Sequence, residues 1–144
     1  MNNEQKTIQA AVIHTSGYLE SIVIESLEDM QKAVGGLIEA YPMQYAMLAE
    51  PLAPHTGKFE VYINEEGLLD RLPLNLPASL SMGILVHGDV LVTGPIDDEG
   101  ETTTLPTEVW HELPRMLREP EFSFRVVGLD EPEEMADGLE GGEA

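Results

Sequence analysis

The sequence predicts an α+β fold, a single domain on a mainly antiparallel or mixed sheet of about five to seven strands with two principal helices. Three observations predict it. Short β-branched or alternating runs, IQAAVIH, YLESIVIE, FEVYI and VLVTG, recur between turns marked by glycine or proline. Two other segments repeat their apolar residues at helical spacing: Leu27, Met30, Ala33 and Val34, then Val109, Trp110, Leu113, Met116 and Leu117. The chain of 144 residues is long enough to bury one core and too short for a second full domain.

Residues 1–7 are expected as an N-terminal arm, 8–129 as the domain and 130–144 as an acidic disordered tail, too poor in apolar residues to order itself. Segments 8–14 and 18–25 form a hairpin around Thr15-Ser16-Gly17. Ser26 then opens a helix as a capping box, its hydroxyl accepting from the backbone three residues on while Asp29 reaches back to the cap amide. Leu27, Met30, Ala33 and Val34 face the core, and the Gly35-Gly36 pair ends the helix through a left-handed glycine. Leu37–Tyr41 reads as a strand stopped by Pro42, and 43–57 as irregular or with one short helical turn. In 59–63 Phe59, Val61 and Ile63 alternate with Glu60 and Tyr62. Asn64-Glu65-Glu66-Gly67 carries a type I turn signature, with Gly67 supplying the positive φ that starts a return strand at Leu68.

Pro73 and Pro77 cannot donate to a ladder, so LPLNLPAS is an extended surface crossing or edge, with one helical turn at 78–82. Ile84–Val86 and Val90–Gly94 read as a strand pair around the His87-Gly88-Asp89 turn, the second strand at the sheet centre because its apolar run is continuous. After a polar loop at 95–104, Pro106 opens the last helix at its first position, and Pro114 kinks or restarts it. Ser123–Val127 is the last strand.

Seven Lys and Arg face 27 Asp and Glu, a formal net charge of −20. Residues 130–144, with seven acids and no base, hold −7 of it and residues 1–129 hold −13, so the body is itself acidic. A potential of that sign opposes binding to phosphate backbones, which is driven by cationic neutralisation, and direct nucleic-acid binding is not expected. The absence of cysteine excludes disulfides, thiolate metal sites and a thiol nucleophile. The first residues lack a basic segment followed by an apolar run, and no stretch approaches the roughly 18 apolar residues of a membrane span. The expectation is a cytoplasmic protein with no membrane partner and no cofactor.

Little in the chain looks like chemistry. His87 and Asp89, two apart beside Gly88, could serve a divalent metal if His111 or Glu112 came near, but HExxH spacing is absent and a polar turn at a strand end is the simpler reading. Ser16 and Ser81 lack the G-x-S-x-G context of a nucleophile elbow. Gly35-Gly36 closes a helix and no Lys follows, so it is not a phosphate loop. Among 27 acids any chosen carboxylate pair is uninformative. Trp110, beside His111, reads as the anchor of its helix on the sheet. The partner-binding candidates are acids of two polar reversals, Glu65 and Glu66 in the first, Asp97, Asp98, Glu99 and Glu101 in the second; a turn tip must in any case be solvated.

The ordered set VGGLIE (34–39), YINEEGLLDRLPLN (62–75), Ala78-Ser79 and GDVLVTG (88–94) resembles a family of small uncharacterised proteins of phages, plasmids and actinobacterial genomes, a domain of unknown function. The resemblance covers residues 8–94 and leaves out the Trp110 helix and the tail. It implies a compact α+β domain of mobile-element origin and no catalytic residue. Together with the charge, it points to a non-enzymatic accessory protein that binds a host protein with a basic surface through its own acidic surface, as a nucleic-acid mimic or inhibitor. Two other readings stand beside it: a small-ligand or metal-dependent enzyme using His87, Asp89 and His111, and an acidic domain adapted to high salt whose charge encodes no partner.

Overall fold

Strand β1 (Ile8–Ile13) is covered on both faces: Ala10 and Val12 point into one apolar cluster, Ala11 and Ile13 into another. That double burial sets the architecture. A computed structural model describes residues 7–42, 47–49, 52–83, 85–118 and 124–126 of the chain. After β1 come β2 (Leu19–Ile24), α1 (Leu27–Val34), β3 (Ile38–Tyr41), β4 (Met47–Ala49) and a 3-10 turn at Ala53–His55. Then follow β5 (Glu60–Asn64), α2 (Leu76–Met82), β6 (Val90–Thr93), α3 (Thr107–Arg118) and β7 (Phe124–Val126). Five strands make one antiparallel sheet in the order β2-β1-β6-β5-β3, and β4 pairs with β7 antiparallel as a separate two-stranded sheet. The fold is α+β, as the sequence predicts.

Helix α1 covers one face of the large sheet through Met30 and Val34, which meet Val12, Tyr62 and Leu91. The other face carries Phe59, Val61, Val90 and Val92 against Ala78 and Met82 of α2, Leu48 of β4, and Val109 and Leu113 of α3. β6, buried at all four positions, is the central strand its continuous apolar run predicts. Trp110 is half-buried and packs against the second cluster, the anchoring role expected of it.

Local punctuation is largely as the sequence signals. The Ser26 hydroxyl caps α1 by accepting from Asp29 N at 3.2 Å, and Gly35 ends it at φ +83°. The Asp29 carboxylate reaches back one residue further than expected, accepting from Glu25 N at 2.8 Å. Leu27 is exposed, because the first turn of α1 projects beyond the sheet cluster that Met30 and Val34 enter. Pro106 sits one position before α3, its carbonyl accepting from Val109 N and Trp110 N, and α3 is assigned as one helix through Pro114.

Two expectations fail for one reason, that the neighbours of β5 and β6 are already fixed. β5 has β3 on one side and β6 on the other, so no return strand can follow the 64–67 turn; residues 68–71 continue as turns, with Arg71 at φ +59°. β6 has β1 and β5, so residues 85–86 form no strand beside it. Their backbone instead meets the 73–75 segment, Asn75 N donating to Val86 O at 2.9 Å and Gly88 N to Pro73 O at 2.8 Å. The extended edge expected there is confined to 72–75, bridged at Leu74 to His87, and the helical turn expected at 78–82 belongs to a longer third helix, α2, which Asn75 opens and Gly83 closes at φ +67°. Segment 43–57, expected to be irregular or to hold one short helical turn, contains that turn as the 3-10 helix and also the unexpected β4, and the loop at 95–104 holds a small hairpin bridged at Ile96 and Thr102. The expected tail, and all of the expected arm except Thr7, lie outside the described residues.

Two buried carboxamides lock these pieces. Asn75, 0 % exposed, donates from Nδ2 to Ile13 O at 2.8 Å and Gly88 O at 2.9 Å, and its Oδ1 accepts from Ala78 N at 3.1 Å. One side chain thus joins the end of β1, the entry to β6 and the start of α2. Asn64, 5 % exposed, donates to Val34 O at 3.1 Å and accepts from Glu66 N at 2.8 Å, tying the end of α1 to the turn after β5. Glycines let these segments touch. Gly67 is not at positive φ; a Cβ there would stand 2.5 Å from His87 O, so close approach is what it permits. Replacing Asn75 by Ala leaves two buried carbonyls and one N–H without their partner, and is expected to lower the unfolding free energy by about 3 kcal/mol in urea titration. A loss below about 1 kcal/mol would show that these groups find other partners.

Candidate functional site

Antiparallel pairing sorts the surface into two ends. With Ile13 opposite Val90 and Tyr62 opposite Leu91, the sheet presents His14, Asn64 and Asp89 at one end, and Ile8, Glu60 and Thr93 at the other. The acids singled out from the sequence divide between them. Glu65 and Glu66 lie on the turn at the first end, both exposed. Asp98, Glu99 and Glu101 are exposed on the hairpin that follows β6 at the second end. Asp97 organises that hairpin, its Oδ1 accepting from Glu99 N and Glu101 N, each at 2.9 Å. The two reversals form two separate acidic patches.

The first end also carries exposed apolar side chains. Leu37, Leu68, Leu69, Leu74, Leu76 and Leu85 are exposed there, Leu68 at 71 % and Leu69 and Leu85 at 80 %. Between the 64–68 turn and residues 85–87 runs an apolar groove of about 180 Å³, floored by Ile63 and Val86 and flanked by Leu68, Leu85, Glu65 and His87. A volume of that order suits a single inserted side chain, well below the roughly 300–1,000 Å³ of small-molecule pockets.

Beside it stands an ionic cluster that spacing could not reveal. His14 lies with Nδ1 2.8 Å from Asp89 Oδ2 and Nε2 2.8 Å from Glu20 Oε1, while Thr15 N donates to Asp89 Oδ1 at 3.0 Å. Its ring stacks on Tyr18 at 5.6 Å between centroids. Burial alone would lower the histidine's pKa, but hydrogen bonds to Glu20 and Asp89 and the charge of both carboxylates outweigh it and raise the value above the ordinary one. With a carboxylate at each nitrogen, the doubly protonated ring is the form that donates both bonds. It ties β1, β2 and the entry to β6 together.

The residues considered for a metal are engaged elsewhere. Asp89 serves His14 and Thr15, His87 Nδ1 lies 3.0 Å from Leu72 O, and His111 is exposed on α3. Among the described residues no group of three or more His, Cys, Asp or Glu is disposed to hold a metal ion. His55 Nδ1 and Ser81 Oγ are buried without a hydrogen-bond partner among them, and His55 Nε2 is 4.0 Å from Glu112 Oε2. None of the described helices is long and apolar enough to cross a membrane.

The segments that carry the resemblance meet at the first end: Gly36 against Asn64, Leu72 against Gly88, and Asn75 bonded to Gly88. A family profile described as a domain of unknown function (DUF3846) matches residues 8–118. The chain belongs to that family. No curated protein and no solved structure matches it. The DUF3846 match extends past residue 94, so α3 and Trp110, outside the resemblance read from sequence, are part of the domain.

The His14 cluster gives a pH signature. A raised folded-state value means that the stabilisation is fully present below the unfolded histidine pKa, about 6.5, and is lost as pH rises through the folded value. The melting temperature of the wild type should therefore exceed that of His14→Gln most at about pH 5.5–6.5, the difference shrinking toward about pH 9. A difference that widens with pH would contradict the assignment.

Proposed function

We propose that this DUF3846 protein is a non-enzymatic accessory protein of a phage or other mobile element, and that it binds a basic host protein through its acidic surface, as a nucleic-acid mimic or inhibitor. The observation that carries the binding is the excess of exposed carboxylate. Residues 8–118 hold 17 acids and five bases, a net −12. Of the bases, Lys58 and Arg115 are paired with Glu108 and Glu112 of α3. Glu65, Glu66, Asp98, Glu99 and Glu101 have no ion-pair partner among the described residues. Carboxylates held at both ends of a strand layer roughly 17 Å long present negative charge as a spaced array, the kind of field that steers a basic partner and stands in for phosphates. The mobile-element origin rests on the motif resemblance alone.

The commitment of both His14 nitrogens and of His87 Nδ1 and Asp89 favours binding over an enzyme built on those groups. Affinity capture from bacterial lysate at about 50 mM salt should retain a basic protein that elutes by about 500 mM, as the Debye length falls. Retention should drop when Glu65→Gln/Glu66→Gln or Asp98→Asn/Glu99→Gln/Glu101→Gln is the bait. Recovery of no partner at low salt, with unfolding there that molar salt reverses, would instead assign the charge to solvation in high salt.

A further inference from the structure

The groove at the first end of the sheet offers more than charge. Its floor is apolar, its walls are Leu68 and Leu85 with Leu69 beside them, and Glu65, Glu66 and Asp70 lie along the same turn. Glu65 and His87 line it, and Arg71 is the one base on a turn that carries three acids. A nonpolar slot beside a net-acidic turn favours an occupant with apolar anchors flanked by cations.

The backbone at the rim decides the form of that occupant. Glu65 N donates to Leu37 O, Gly67 N to Asn64 O, Asp70 N to Glu66 O, Arg71 N to Leu68 O and Leu72 N to Gly67 O. These donors are already used, so the 65–72 turn offers no continuous ladder for an added strand, and recognition there runs through side chains. A helix satisfies its own backbone and projects apolar residues at i, i+3 and i+4. Charge excludes two other occupants. Residues 130–144 carry seven acids and no base, the same sign as the rim. A second copy would set Glu65, Glu66 and Asp70 against the same acids.

The geometry points to this groove as the docking site for a basic amphipathic helix of the partner protein, with one large aliphatic or aromatic side chain seated between Leu68 and Leu85 and Lys or Arg residues facing Glu65, Glu66 and Asp70. The inference rests on the binding reading above and adds where the partner sits and what it must present.

The test uses a synthetic helical peptide of leucine and lysine with leucines on one face, and a second peptide of the same composition in scrambled order. Fluorescence anisotropy with the full chain at about 150 mM salt should show the amphipathic peptide binding about tenfold or more tightly than the scrambled one. Leu68→Ser/Leu85→Ser should lower affinity for the amphipathic peptide by about tenfold, whereas Asp98→Asn/Glu99→Gln at the opposite end should leave it within about twofold. Amide NMR shifts of the wild type on peptide addition should concentrate at 63–70 and 85–87, a readout independent of whether the double variant folds. Equal binding of both peptides, or equal loss on substitution at either end, would overturn the groove assignment while leaving acidic-surface binding intact. Binding of neither peptide would overturn both. Self-association of the chain abolished by Leu85→Ser would assign the groove to a second copy and overturn the inference as well.

Discussion

The carboxamide of Asn75 carries a disproportionate share of this architecture. Three chain segments distant in sequence end at it: β1 through Ile13 O, the approach to β6 through Gly88 O, and the first turn of α2 through Ala78 N. Fully out of water, it has no other way to satisfy its donors and acceptor, and the backbone groups it meets have few alternatives. An apolar residue of the same size could fill the space but could not specify which carbonyls come together. The Asn64 lock does the same for α1 and the turn after β5. Apolar burial supplies most of the drive to collapse, and the two amides fix how the segments at one end of the sheet are arranged.

Sequence signals were reliable where their cause is local. Ser26 and Asp29 cap a helix, Gly35 ends it, and β5 turns Val61 and Ile63 to one face and Tyr62 to the other, because each depends on residues within a turn of one another. The failures follow from partners that only the fold supplies. Gly67 resembled a turn glycine needing positive φ, yet what constrains it is His87 O, twenty residues away. The 68–72 segment resembled a return strand until β6 occupied the free side of β5. Asn75 followed by Pro77 and, later, Gly83 is a local helix start and stop, so α2 runs beyond the single turn expected at 78–82; taken alone, the prolines favour an extended segment. At the candidate site, Glu65 and Glu66 were legible as an exposed turn. The His14 and Asp89 contact was not, since 75 residues separate its members.

The distribution of charge explains how so acidic a chain keeps two apolar layers. Its described acids lie on turns, helix surfaces, the small hairpin and strands β2, β3 and β5, and none is fully buried. Repulsion there is spread through solvent of high dielectric and screened by salt. Glu60 is the local exception: half-buried in β5, its carboxyl is pushed up by burial, so its charge opposes folding at neutral pH. His14 works in the other direction. Placed between Glu20 and Asp89, its cationic form offsets two carboxylates where β1, β2 and β6 come closest to the Asn75 lock.

That placement has a consequence for recognition. The end of the sheet bearing the exposed leucines is the end held by both amides and by the His14 cluster, so its backbone is tied at several points while its apolar side chains remain in water. A surface that must bury leucines against a partner loses less entropy when the chain beneath them is already fixed. At the opposite end the 96–102 hairpin is organised chiefly by its own backbone bonds and by Asp97, and what it exposes is mostly carboxylate. In the binding proposed above, rigid support under apolar groups at one end and charge on a small projecting hairpin at the other would serve different steps: long-range attraction over the whole acidic body, and short-range fit only where the leucines stand.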